Sequence, residues 1–441
     1  MANSRAGMLA TYRDAFGGLP RLTWLLCLAA FLNRCGSMVV VFLGLYAKER
    51  FGYSATDAGY VISLYGCGAV VGSWLGGFLT DRIGSVRTQI MALIGSGLWM
   101  FGMTQGLEPG WLEATTFVLA VFNEAFRPAS VTAVAISVPP ELRRKALSLN
   151  RLMLNLGWAI GPTIGGYLVM VDFRWMFFVD GATCLVAATF LAFGLGGFRA
   201  KPEPRSAEHT KVYPIRDLHF VWLMLANLLT LVAFTQYFTT GSRVFEDSGY
   251  LRNHIGWFLA VNPILIVMFE MVVVHALRNR PALPVVALGS LVVGLGYLVL
   301  LAPMGGTGIV IAMGVIAGGE LLQMPLLSAH INDRAPASAR GAYNGAYGMV
   351  FSVSLILAPV IGGYVYEHHG QHVLWTMCGV LGAVAAAMFW FASLTPAGRG
   401  TTPFDASSEP EHALANDTLA DNTLANDALT NDTTPTQSAK T

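Results

Sequence analysis

The sequence predicts an all-α integral membrane protein with twelve transmembrane helices in two pseudo-symmetric six-helix halves. Composition is the first reason. Hydrophobic residues make up 54% of the chain and charged residues only 12%, with a mean hydropathy of +0.55, whereas a soluble globular chain carries roughly 25% charged residues. The second reason is an internal repeat. Arg143, Pro162, Gly165, Gly166 and Tyr167 recur 197 positions later as Arg340, Pro359, Gly362, Gly363 and Tyr364, and Pro128 recurs as Pro325. Duplicated blocks of hydrophobic segments are a common plan of secondary transporters, whose substrate site lies between the repeats.

Apolar runs of about 20 residues, enough for a helix to cross a bilayer, fall near 22–46, 55–80, 88–106, 112–138, 146–170 and 175–196 in the first half. The second half supplies 218–240, 253–276, 282–301, 307–330, 342–366 and 373–394. An even number of spans puts both termini on one side. Lys and Arg collect in short cytoplasmic loops, and Arg82 and Arg87, then Arg143, Arg144 and Lys145, then Arg199 to Arg216, Arg278, Arg280, Arg334 and Arg340 fill alternate loops. The opposite loops hold Lys48, Arg50, Arg174, Arg243 and Arg252. The expected organisation is a cytoplasmic segment 1–21, a six-helix half 22–196, a cytoplasmic linker 197–217, a second half 218–396 and a disordered cytoplasmic tail 397–441.

Residues 8–18 place Leu9, Tyr12 and Phe16 near one helical face, which suits either a helix on the membrane surface or a frayed terminus. No short apolar core is followed by a small-residue cleavage site, so no removable signal peptide is expected. The tail is rich in Thr, Asn, Asp and Ser, the composition of a disordered segment. A net charge of +1 gives no reason to expect a nucleic-acid partner. Five cysteines in apolar runs, with no C-x-x-C, argue against a disulfide framework or a zinc site. Glu367, His368, His369 and His372 read as a solvated cluster. No nucleotide loop, metal motif or nucleophile constellation supports catalysis, so neither enzymatic activity nor a cofactor is expected, and the protein should be a monomer in the lipid bilayer.

The loop after the second span reads Gly77-Phe78-Leu79-Thr80-Asp81-Arg82-Ile83-Gly84-Ser85-Val86-Arg87. It closely resembles the G-x-x-x-D-R-x-G-R-K-R signature of the major facilitator superfamily, departing at Ser85 and Val86, where that family usually has basic residues. The fifth span carries Gly157-x-x-x-Gly161-Pro162-x-x-Gly165-Gly166, which is similar to the motif of that superfamily's drug:proton antiporters. With Phe173-Arg174-Trp175 before span six, the resemblance covers about residues 20–396. It implies the major facilitator fold and alternating access in a bacterial inner membrane.

Physics gives these residues work. Gly77 should let helices approach closely. Asp81, near the start of span eleven and beside Arg82 and Arg87, should act with Gly84 as a latch on the cytoplasmic side. In span five, Gly157, Gly161 and Gly165 make a smooth face and Pro162 bends the helix. Span two has a similar face in Gly68, Gly72 and Gly76.

Ionisable groups inside spans are expensive and mark function. Arg34, with Asn33 beside it, Glu124, Arg127 and Glu320 all reach roughly mid-membrane at 1.5 Å per residue. In the superfamily that the sequence resembles, spans one, four, seven and ten line the central cavity, which would bring these groups together. Glu124 and Arg127, three apart, are expected to form an internal pair with Arg34 competing. Glu320 has no basic residue within a turn and is the candidate proton carrier; Asn123 precedes it by the repeat offset of 197, so the acid is a departure from the repeat. Glu270 reads as a snorkelling side chain, with a proton relay as the alternative, and Asp180 as a solvated one.

Tyr237 and Met324, with Tyr65, Phe234, Phe238, Trp257 and Phe258, are candidates for a cavity lining suited to bulky apolar or cationic molecules. The resulting expectation is a proton-coupled antiporter exporting small amphipathic compounds. Proton-coupled uptake of a sugar, peptide or other metabolite is the rival reading, and a non-transporting sensor is a further one.

Overall fold

The computed structural model describes residues 16–105, 108, 110–195, 214–277, 279–335, 340–395 and 398. The tail, most of the linker, Arg278 and the expected surface helix before Phe16 lie outside the described residues. Ten helices among the described residues are long and apolar enough to cross a membrane. Span three, Ser85–Met103, adds one more, and Gly370 divides the last helix, Arg340–Leu394, into spans eleven and twelve. Twelve spans result. Gly370 has φ 81, a left-handed conformation that costs glycine little and lets the chain reverse without a loop.

The other spans are two, Ala55–Ile83; four, Trp111–Ile136; five, Arg143–Val171; six, Phe173–Leu195; eight, Arg252–Leu277; nine, Ala282–Val299; and ten, Gly305–Arg334. Spans one and seven are each broken, one into Arg21–Cys35 and Val39–Phe51, seven into Leu218–Thr235 and Thr240–Asp247. Broken helices leave backbone groups that must be satisfied inside the protein. In span one Asp180 of span six does this: one carboxylate oxygen accepts from Met38 N and Val39 N, each at 3.0 Å. Asp180 is 0% exposed, so the expectation of a solvated side chain is overturned. The two orphan donors at the helix start hold it inside. In span seven Gln236 Nε2 donates to Ala358 O of span eleven at 2.7 Å.

The halves meet along spans two and eleven and along spans five and eight. At the face carrying Gly52 and Gly370 one apolar core runs through both halves and includes Phe42, Phe177, Phe234, Tyr297 and Trp375. At the opposite face, carrying Gly84, the core splits. Leu26, Leu93 and Leu149 belong to a cluster of the first half, while Phe220, Leu283 and Phe389 belong to one of the second. The molecule is sealed at the Gly52 face and parted at the Gly84 face.

Candidate transport site

Glycines set the seal. A Cβ on Gly59 would sit 2.4 Å from Pro359 O, and one on Gly256 only 2.3 Å from Pro162 O. Gly59 and Gly256 are 197 apart, as are Pro162 and Pro359, so the two seams are copies of one contact. Gly363 lies against Ala55 and Gly166 against Arg252 in the same crossed arrangement. Gly157 and Gly161 instead pack on Arg34 and Cys35 of span one, and Gly165 on Met38 and Phe42. The span-five motif therefore serves two contacts, one within its half and one between halves. Gly68, Gly72 and Gly76 form the expected smooth face, each against backbone of span four.

Charge reinforces the seal. Lys48 of span one reaches Glu246 at 3.0 Å and Asp247 at 2.5 Å. Arg252 pairs with Glu246 at 2.9 Å and also with Glu49. Glu367 accepts from Thr56 N at 2.9 Å, at the start of span two.

The opposite face is open where the latch was expected to close it. A Cβ on Gly77, Gly341, Gly345 or Gly348 would meet nothing within 4 Å. Spans two and eleven, which touch backbone to backbone at Gly59, have separated by that depth, so the close approach expected at Gly77 is absent in this conformation. Asp81, Arg82 and Arg87 are exposed, and the Arg82 guanidinium lies 4.4 Å from the Phe78 ring centroid. Gly84, with φ 92, turns the chain into span three.

Between the halves Glu320 is 8% exposed, and its Oε2 accepts from Asn262 Nδ2 of span eight at 3.1 Å. Tyr237, Tyr347 and Arg151 lie within electrostatic reach of the carboxyl, and Tyr347 also lies within reach of Arg127 and Arg151. Met324 is partly buried against the shared core. In the first half Asn123 Nδ2 donates to Tyr65 Oη at 2.9 Å. Glu124 and Arg34 both lie in electrostatic reach of that tyrosine.

The expected ion pair of Glu124 with Arg127 or Arg34 is not formed: no such contact falls within 4.0 Å among the described residues. The arginines sit on aromatic faces instead. Arg127 lies 5.7 Å from the centroid of Phe351 in span eleven, and Arg34 lies 5.7 Å from that of Trp158 in span five. Flat cations pack on ring faces at little desolvation cost. Asn33 is turned to span six, where its Oδ1 accepts from Cys184 Sγ at 3.6 Å, so it packs a helix interface and does not meet Glu320. Trp257 is exposed outside the bundle and donates to Tyr167 Oη at 3.2 Å.

Arg151, not among the residues expected at the site, meets Glu270 Oε1 through its Nε at 3.1 Å and bridges spans five and eight. Glu270 is thereby an ion-pair partner, and the snorkelling expectation is corrected. The signal was present: Arg151 is the one basic residue inside the span after the Arg143-Arg144-Lys145 cluster that marks its start.

Two six-helix halves that share one core at one face and part at the other define a membrane transporter. The family model of the Major Facilitator Superfamily matches residues 26–322 and 246–429, and the chain belongs to that superfamily. It is 25% identical over 367 residues to the uncharacterized MFS-type transporter YttB of Bacillus subtilis (strain 168), covering 81% of this chain and 91% of that protein. It is 22% identical to the class H tetracycline resistance protein of Pasteurella multocida, over 81% of this chain and 90% of that one. Its fold is similar to that of a POT family transporter solved in complex with 5-aminolevulinic acid, with a TM-score of 0.74, 17% identity, and coverage of 85% of this chain and 96% of that chain.

Proposed function

We propose that this transporter is a proton-coupled antiporter that exports small amphipathic, drug-like compounds across a bacterial inner membrane, with both termini and the Gly84 face cytoplasmic. The observation that carries the reading is Glu320, a buried carboxyl with an amide donor and, among the described residues, no cation within 4.0 Å. A carboxyl so placed can exchange a proton with whichever side the gap faces. Arg82, Arg87, Arg143, Arg144, Lys145 and Arg280 sit at the Gly84 face, which supports its assignment to the cytoplasm. The relative named for tetracycline resistance supports export.

On this reading the described conformation faces inward. Glu320 releases its proton to the cytoplasm, substrate takes its place, and rocking of the halves breaks the Gly59 and Gly256 seams and the Lys48 and Arg252 ion pairs. Outside, a new proton displaces the substrate. Everted vesicles test this: adding substrate to vesicles with an acidified lumen should release protons, and a gradient that survives a panel of amphipathic compounds but collapses with a nutrient would favour uptake.

A further inference from the structure

At the Gly52 face a cavity of about 290 Å³ opens within the first half, where spans one, three and five end and span six begins. Its walls carry Arg50 and Arg174, with Glu49, Asp172, Met103 and Phe173 beside them. Tyr46, on the same wall, lies within electrostatic reach of Arg50, Arg174 and Asp172, so these charges converge on one space. The acids are engaged: Glu49 pairs with Arg252, and Asp172 Oδ1 accepts from Arg174 N at 2.7 Å. The two guanidiniums are not. Of the five basic residues in the loops of this face, Lys48 and Arg252 pair with Glu246 and Arg243 pairs with Asp247. The remaining two, Arg50 and Arg174, make no ion pair among the described residues and share the cavity.

The repeat shows that the basic lining is particular to one half. A second cavity, of about 170 Å³, opens at the same face of the second half and is lined by Leu300 and Gln371, which stand 197 positions after Met103 and Arg174. No charged residue lines it among the described residues. The counterpart of Arg50 is Asp247, which is taken by Lys48 and Arg243. Both halves carry the crevice, and only the first arms it with cations.

Position selects the anion. Trp175 and Phe178, which follow Arg174, are exposed and meet edge to face at 5.7 Å, and Phe101 of span three reaches Phe178 at 5.3 Å. Exposed aromatic side chains at the ends of spans mark the level of lipid headgroups, and Met170 and Val171 continue the exposed apolar surface on span five. We propose that this cavity binds the phosphodiester of a membrane phospholipid, with Arg50 and Arg174 holding the phosphate oxygens and the lipid's chains running past Val171 and Trp175. Guanidiniums bind phosphate oxygens in a fork geometry, and basic pockets between span ends recognise lipid headgroups. Naming the leaflet as the outer one rests on the orientation proposed above; the site itself does not.

Lipid binding to the purified full chain, measured by native mass spectrometry from a maltoside detergent, tests the site apart from orientation and transport. The probes are dioctanoyl phosphatidylethanolamine, dioctanoylglycerol, which lacks the phosphate, and inorganic phosphate. The phospholipid should bind about tenfold or more tightly than the diacylglycerol. Arg174→Gln, which installs the residue of the second-half copy, and Arg50→Gln should each erase most of that preference, while Gln371→Ala should keep it. Both arginines are exposed, so an unshifted melting temperature in the absence of lipid should confirm folding, and if one variant fails to fold the other decides. A diacylglycerol that binds as well as the phospholipid, or a folded variant of either arginine that keeps the full preference, overturns the site. Inorganic phosphate that binds as tightly as the phospholipid gives the cavity to a free anion and overturns the lipid.

Discussion

Asn262 donates to Glu320 at 3.1 Å, and the residues 197 positions earlier, Tyr65 and Asn123, are hydrogen-bonded to each other at 2.9 Å. One contact has been duplicated with its chemistry changed. The first-half copy is neutral; the second-half copy contains the acid. Asn262→Leu leaves the Glu320 carboxyl without its donor, a loss of about 1–3 kcal/mol at a buried group, and should lower pH-driven transport about tenfold or more. Tyr65→Phe removes the neutral bond, worth about 0.5–1.5 kcal/mol, and should leave coupling intact. Equal losses in the two variants, measured in the same vesicles, would deny the asymmetry.

Asp180→Ala removes the acceptor shared by Met38 N and Val39 N at the break in span one. Thermal unfolding in detergent should report a loss of about 1–3 kcal/mol. Asp180→Asn keeps one acceptor oxygen and should lose less. An Ala variant as stable as wild type would mean that water or a shifted helix replaces the cap.

Gly59→Val places a methyl-bearing carbon where Pro359 O stands 2.4 Å away. Neither partner is a flexible side chain, so the seam has to open. Thr56→Cys, beside the seam, should react faster with an impermeant maleimide added to whole cells when Gly59→Val is also present. Unchanged labelling would show that the halves absorb the methyl without parting.

Asp217 caps span seven and accepts both Arg334 Nε at 2.8 Å and Nη2 at 2.7 Å, with Tyr343 Oη at 3.1 Å. Burial pushes its carboxyl up, but the Arg334 hydrogen bonds, the Phe220 N–H and the Arg334 charge outweigh it and hold the group below the usual aspartate range. A native pKa below the unfolded value of about 3.9 stabilises the fold above that value and loses the contribution as pH falls through the native one. The melting-temperature gap between wild type and Asp217→Asn should therefore be constant near neutrality and close in acid. A gap that persists at the lowest pH would assign the effect to shape and not to charge.

The fold was legible because bilayer length and the 197-residue repeat are written in composition and spacing. The repeat even encodes the crossed seams, since Gly59 and Gly256 share the offset of Pro162 and Pro359. Side-chain partners were less legible. Spacing along one helix put Arg127 beside Glu124, but Phe351 of span eleven competes for the guanidinium and wins. Asp180 looked solvated near a helix end, yet the break in span one, where Gly36 caps the first segment, supplies the donors that bury it. Arg151 stands alone in its span beyond the Arg143-Arg144-Lys145 cluster, but its partner Glu270 lies on another helix. Gly77 shows a different limit: its spacing fits close packing, and the conformation determines whether that packing is made.

The central claim is that the Glu320 carboxyl couples protons to substrate. Glu320→Gln retains size and the bond from Asn262 but cannot change charge. In proteoliposomes holding purified protein, it should abolish pH-driven uphill transport while preserving substrate counterflow down its own gradient. Full pH-driven transport by Glu320→Gln protein would contradict the account and move the proton to Glu124 or Glu270.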